Sequence, residues 1–138
     1  MNLDQIIVTP LKKIHLNDGD VFHGMKNTDI GFVKFAEVYF SQIHNNSIKA
    51  WKKHLRMTLN LVVPLGNVKF VFINDDGEAR EEIIGVERYS RLTVPPNIWF
   101  GFQGLSSPYS LLMNVADIIH DPNEVERKKI DEIIYDWK

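Results

Sequence analysis

Apolar residues along this chain come in short runs of Val, Ile, Leu, Phe and Tyr, broken every few positions by clusters of Asn, Asp, Gly, Ser and Pro. That punctuation predicts strands joined by tight turns. In residues 68–73, Val68, Phe70 and Phe72 share one face of a strand, and the Leu65, Gly66 and Asn67 turn before them predicts a hairpin whose other arm is 59–63. Asn74, Asp75, Asp76 and Gly77 form the strongest turn signal, because Asp-Gly tolerates positive φ. Further strands are expected at 31–40, 47–51, 82–86, 91–94, 99–103 and 110–115. Roughly eight strands at this spacing predict an all-β sandwich or barrel.

The end of the chain reads differently. Asp121, Pro122 and Glu124 place a capping carboxylate, a proline and an acidic side chain where a helix begins. Val125, Ile130, Ile133 and Ile134 supply an apolar stripe, so a short C-terminal helix of about three turns is predicted. No linker, repeat or low-complexity tract interrupts the 138 residues, and a single domain over 1–138 is expected.

Composition narrows the function. With 16 basic and 18 acidic residues interspersed and a net charge of -2, no sustained basic field is present to hold a nucleic-acid polymer or an anionic membrane surface. The absence of cysteine excludes disulfides, thiolate nucleophiles and zinc–sulfur sites. The opening residues lack a basic n-region and a continuous apolar core, and no window approaches a membrane span, so cytoplasmic residence is expected. No Walker loop, dinucleotide glycine fingerprint or Gly-x-Ser-x-Gly elbow occurs, which argues against phosphoryl transfer, Rossmann-type hydride transfer and serine hydrolysis.

Two segments carry a resemblance. Lys52, His54, Leu59 and Gly66 fall at the spacing of the first cupin motif, whose members carry two histidines, a glutamate and a glycine there. Val94-Pro95-Pro96-Asn97-Ile98-Trp99-Phe100-Gly101-Phe102 is similar to the second motif, with Asn97 in place of a glycine and Phe100 in place of a histidine. Asn suits that exchange because it enters the left-handed region more readily than most residues. Within cupins the wording resembles the dTDP-4-dehydrorhamnose 3,5-epimerase-like group, which reads Lys-Gly-Trp-His where this chain reads Lys49-Ala50-Trp51-Lys52. The resemblance spans residues 9–124 and implies a cupin double-stranded β-helix, a jelly-roll barrel.

It also implies an activity: metal-independent epimerisation or isomerisation of a dTDP-4-keto-6-deoxyhexose in surface polysaccharide biosynthesis, by a homodimer. Of the four metal-ligand positions only His54 keeps a donor in its usual state, so neither a metal nor another cofactor is expected. The family's base corresponds to Lys52. A lysine desolvated beside other cations can act as a base near neutrality, and alternation puts His54 on the face of Lys52 with Lys53 opposite. The family's acid, a tyrosine, corresponds to Ile119 or His120. His120 is therefore an acid or shuttle candidate, weighed against an ordinary surface histidine beside a helix cap, and Tyr39 is a second acid candidate. Trp51, Trp99, Phe100 and Phe102 are candidates for an aromatic wall, at least half of them belonging instead to the core. Arg56 leads Lys49, Arg88 and Arg91 as diphosphate-gripping candidates. A barrel that binds sugars without chemistry is the alternative, favoured by the replacements at 52 and 100, and a cupin acting on an unrelated small molecule is a third.

Overall fold

A computed structural model of the chain describes residues 2–138. In chain order its strands are β1 (Ile7–Pro10), β2 (Lys13–Ile14), β3 (Val21–Phe22), β4 (Glu37–His44), β5 (Ile48–His54), β6 (Leu59–Leu65), β7 (Asn67–Ile73), β8 (Ala79–Gly85), β9 (Ser90–Val94), β10 (Trp99–Gly104), β11 (Tyr109–Ala116) and β12 (Val125–Arg127). Ten of them form two five-stranded sheets, ordered β1-β9-β6-β11-β4 and β12-β5-β10-β7-β8, while β2 and β3 make a separate ribbon. All the strand pairs within them are antiparallel. Two facing antiparallel sheets with strands crossing between them make the cupin jelly roll.

Alternation builds the core. Leu59, Leu61 and Val63 from one sheet meet Phe70, Phe72 and Phe102 from the other, all buried in one cluster. Phe70 sits at its centre with no exposed surface, its ring 5.6 Å from Phe102 and 6.3 Å from Phe72. The intervening side chains Val71 and Ile73 point out of the barrel, where Trp51 and Trp99 join them in a second cluster.

One expectation about connectivity needs correction. β6 and β7 are not the arms of a hairpin: β6 pairs with β9 and β11, whereas β7 pairs with β8 and β10 in the facing sheet. Gly66 is the corner between sheets, at φ +80°, and a Cβ there would lie 2.3 Å from Ser110 Oγ. A turn signal in sequence states that the chain bends, without stating whether its arms pair. The Asn74 turn does close a hairpin, β7 to β8, with the Asn74 N–H donating to Glu78 O at 3.1 Å. Asn97 takes the left-handed conformation expected of it, at φ 70°.

The predicted C-terminal helix is absent. Asp121 does cap a turn, accepting from Asn123 N–H, but that turn is a single 3-10 turn, Pro122–Glu124, and the chain then extends as β12 along the edge of β5. A second short turn, Ile130–Glu132, leads Ile133, Tyr135 and Trp137 onto the outer cluster. Strand pairing wins because β5 offers unpaired N–H and C=O groups on that side, and Trp51 exchanges both backbone bonds with Lys128 at 3.0 and 3.1 Å.

Replacing Phe70 with alanine removes the central ring of a core closed on all sides. Phe70→Ala is expected to lower unfolding free energy by about 3–5 kcal/mol, read as a shift in urea midpoint at unchanged slope.

Candidate active site

A cavity of about 380 Å³ opens between the two sheets. β5 lines it with Lys49, Lys52 and His54, β10 with Phe100 and Phe102, and β4 and β11 with Tyr39, Ser41, Leu112 and Asn114; Leu59 and Leu61 complete the floor. Arg127 and Lys128 lie on its wall beside β5. The floor is hydrocarbon and the rim is cationic.

A slip in register places the two lysines together. Phe100 stands opposite Lys52 and Phe102 opposite Lys49, with one extra β5 residue accommodated between Phe100 and Gly101. Strict alternation would send residues 49 and 52 to opposite faces; the bulge returns both to the cavity. Gly101 permits this, since a Cβ there would come within 2.7 Å of the Ala50 Cβ. Lys49 Nζ donates to Gln42 O at 2.9 Å. Burial, followed by the nearby Arg127 and Lys49 charges, holds Lys52 below the usual lysine pKa.

His54, 5% exposed, hydrogen-bonds through Nδ1 to Oε1 of Glu124, which is 1% exposed. The other carboxylate oxygen accepts the N–H groups of Arg56 and Met57, each at 3.2 Å. Burial pushes Glu124 up, but the bonds from His54 and these two N–H groups outweigh it and hold the carboxyl below its usual range. A carboxylate only accepts hydrogen bonds, so the Nδ1 of His54 must carry a proton. Burial, joined by the nearby Lys52 and Arg127 charges, lowers the histidine more than Glu124 raises it, which keeps the imidazole neutral at pH 7. Its one lone pair is then on Nε2, on the edge of the ring away from Glu124. The ring is held against Phe100, with centroids 6.2 Å apart and planes within 21°. An imidazole fixed in this tautomer by a buried carboxylate is equipped to take a proton.

Several sequence candidates lie elsewhere. Trp51 touches the rim, but its indole packs in the outer cluster and donates to Ile130 O at 3.1 Å, and Trp99 lies there too, under Lys53 and Lys128. Of the four candidates for an aromatic wall, Phe100 and Phe102 supply it. Arg56 is 61% exposed and pairs with Asp121 at 3.0 Å; its contribution near the site is its backbone N–H. Arg88 pairs with Glu82. Arg91, fully buried, binds the carbonyls of Gly24 and Ile30 and the Asp29 carboxylate, pinning the 24–30 loop to its sheet. His120 is exposed outside the cavity, with its N–H on Glu37.

Glu124, Arg127, Lys128 and Asn114 were missed in sequence. Glu124 carried a signal, three residues after Asp121, but the same spacing reads as a helix cap. For the metal positions, the donor set does not fit an ion: Leu59 and Phe100 have no ligating atom, and no group of three His, Cys, Asp or Glu converges anywhere among the described residues.

No protein-family model matches the chain, and no curated protein matches it. Solved structures do. A dTDP sugar isomerase from Desulfovibrio desulfuricans G20 superposes with a TM-score of 0.91 at 29% identity, covering 97% of this chain and 91% of that one. A sugar 3,4-ketoisomerase from Thermoanaerobacterium thermosaccharolyticum, solved with TDP, gives 0.79 at 20% identity over 96% of each chain. A dTDP-4-dehydrorhamnose 3,5-epimerase from Sulfolobus tokodaii gives 0.82 at 17% identity, covering 98% of this chain and 84% of that one. In architecture, this chain is a cupin-type jelly roll similar to the sugar-nucleotide isomerases and epimerases.

Proposed function

We propose that the chain is a metal-independent isomerase or epimerase of a dTDP-linked 4-keto-6-deoxyhexose, in which His54 and Glu124 form the base. The observation that carries this reading is the buried His54–Glu124 pair on the wall of a cavity rimmed by Lys49, Lys52 and Arg127. The 29% identical dTDP sugar isomerase, matched over nearly the whole chain, supports the substrate class.

His54 Nε2 removes the proton from the carbon next to the ketone, and the C–H electron pair moves toward the carbonyl oxygen to give an enolate. The Lys52 ammonium supports the charge on that oxygen. An apolar floor strengthens this interaction, because few water dipoles compete with it. Lys49 and Arg127 face the diphosphate, whose oxygens accept charge-assisted hydrogen bonds. Lys52 thus serves better as a cation than as the base its motif position implied, since His54 already holds a free lone pair.

The test is turnover of dTDP-4-keto-6-deoxyglucose in deuterium oxide. His54→Asn is expected to lower kcat by about 10²- to 10⁴-fold, and Glu124→Gln to lower it by about 10²-fold or more. EDTA should leave the wild-type rate unchanged. Tight binding with no solvent deuterium at any sugar carbon would instead mark a binding cupin and end the proposal.

The pH profile of kcat/KM follows from the two displaced groups. As pH falls through the lowered pKa of His54, Nε2 gains a proton and the base is lost, so the acid limb lies below the usual histidine value. As pH rises through the lowered pKa of Lys52, the cation is lost, so the alkaline limb begins below the usual lysine value. Lys52→Arg is expected to move only the alkaline limb upward, measured in stopped assays across roughly pH 5 to 10, which begins about 1.5 units below the usual histidine value.

The chain is also proposed to work as a cytoplasmic homodimer. Phe35, Val38 and Phe40 lie exposed along edge strand β4 and the segment before it, an apolar surface suited to a second copy. Sedimentation is expected to give twice the chain mass for the wild type and a monomer for Phe40→Glu; a monomeric wild type would remove this part.

A further inference from the structure

Arg127 stands where its own charge works against it. It lies on β12, a three-residue strand at the edge of its sheet, directly opposite Lys52. Like charges facing each other across a strand pair repel. No carboxylate forms an ion pair with Arg127 among the described residues. Its place beside Lys52 is therefore set by the chain on either side of it.

Upstream, the chain is fixed at Glu124, whose carbonyl takes the Leu55 N–H at 2.7 Å and whose carboxylate is seated against β5. Downstream, it is held from the outer face of the sheet. Trp51 exchanges both backbone bonds with Lys128, and its indole N–H donates to Ile130 O at 3.1 Å. Trp137 and Tyr135 fold back onto that indole, with ring centroids 5.3 and 6.3 Å away. Lys69, on β7, closes the clasp. Its side chain is 6% exposed, and its Nζ donates to Trp137 O at 3.2 Å while lying 6.0 and 5.6 Å from the Tyr135 and Trp137 ring centroids. Ring faces attract a desolvated ammonium, so the lysine binds the last turn of the chain by charge as well as by one hydrogen bond. Within this strap Lys128 turns its Nζ over Trp99, at 4.9 Å, whereas Arg127 lines the cavity.

We infer that Lys69 and Trp51 are positioning residues for substrate binding: by clamping the C-terminal strap to the outer face of the sheet, they hold Arg127 at the cavity against the repulsion of Lys52. The inference rests on the function proposed above and deepens it, because it assigns the grip on the diphosphate to contacts on the far side of the barrel wall. The His54–Glu124 pair does not share this dependence. Glu124 is anchored by His54, Leu55, Arg56 and Met57, none of which belongs to the clasp. Loosening the clasp should weaken binding and leave proton abstraction intact.

Two measurements on the full chain test this: the Kd for dTDP by calorimetry, and kcat and KM with dTDP-4-keto-6-deoxyglucose. Lys69→Met is expected to raise Kd and KM by about 10-fold, the loss of one hydrogen bond to a charged group, with kcat within about twofold of wild type. A chain carrying 3-benzothienylalanine at position 51, which has the shape of tryptophan without the N–H, should also weaken dTDP binding and decides the matter if the lysine variant does not fold. The effect must pass through Arg127. Arg127→Ala should weaken dTDP by itself, and adding Lys69→Met to it should weaken binding no further. An unchanged Kd in any of these folded variants overturns the assignment, as does a fall in kcat that matches the rise in KM, or a double variant whose losses add in full. A wild type that binds dTDP yet exchanges no solvent deuterium into the sugar overturns the proposed function alone, and the Kd series still decides the clasp. A wild type that binds no dTDP overturns both.

Discussion

A carboxylate placed in a barrel wall with 1% of its surface exposed must be satisfied on both oxygens or it destabilises everything around it. Glu124 is satisfied by an imidazole from β5 and two N–H groups from the chain just after β5. That requirement sets the course of the C-terminal segment. Once Glu124 is seated and its carbonyl holds the Leu55 N–H at 2.7 Å, residues 125–127 lie along β5 with no further choice of register. Arg127 and Lys128 reach the cavity wall as a result, and the aromatic residues beyond them fall on the outer cluster. The tautomer of one histidine, the last strand of a sheet and the charge of the cavity rim all follow from one buried contact.

The substitutions at the motif positions gain meaning in this light. Leu59 and Phe100 stand where ligating side chains would gather around an ion, and both are now part of the apolar core cluster. Phe100 also braces the His54 ring face to face. Removing donors from the wall leaves charge only at the dyad and at the rim, so the field across the cavity has few sources and little solvent to weaken it.

Much of the architecture was legible because strand alternation is a local property. The inward set Val68, Phe70 and Phe72, the Asn74 turn and the left-handed Asn97 are each decided within a few residues. Motif spacing likewise brought Lys52, His54 and Phe100 together. What failed was non-local. The Gly66 turn carries no sign that its two arms join different sheets, and residues 121–124 cap a helix and a 3-10 turn equally well. Glu124 lies 70 positions from His54, so no short window joins them. The inward turn of Lys49 depends on a bulge opposite Gly101, which alternation cannot foresee. Arg91 looked like a ligand-binding residue because sequence does not distinguish a cation aimed at a substrate from one spent on loop carbonyls.

The separation between the dyad's halves also matters while the protein is being made. At the usual pace of synthesis, roughly 4 to 14 s pass between the appearance of residue 54 and that of residue 124. Until Trp99–Gly104 are made β5 lacks both of its sheet neighbours, and from then until β12 follows it is a bare outer strand, with its hydrogen-bonding groups open to any extended neighbour. Ribosome-stalled chains ending before β12 should therefore be the ones most prone to capture by chaperones or by one another.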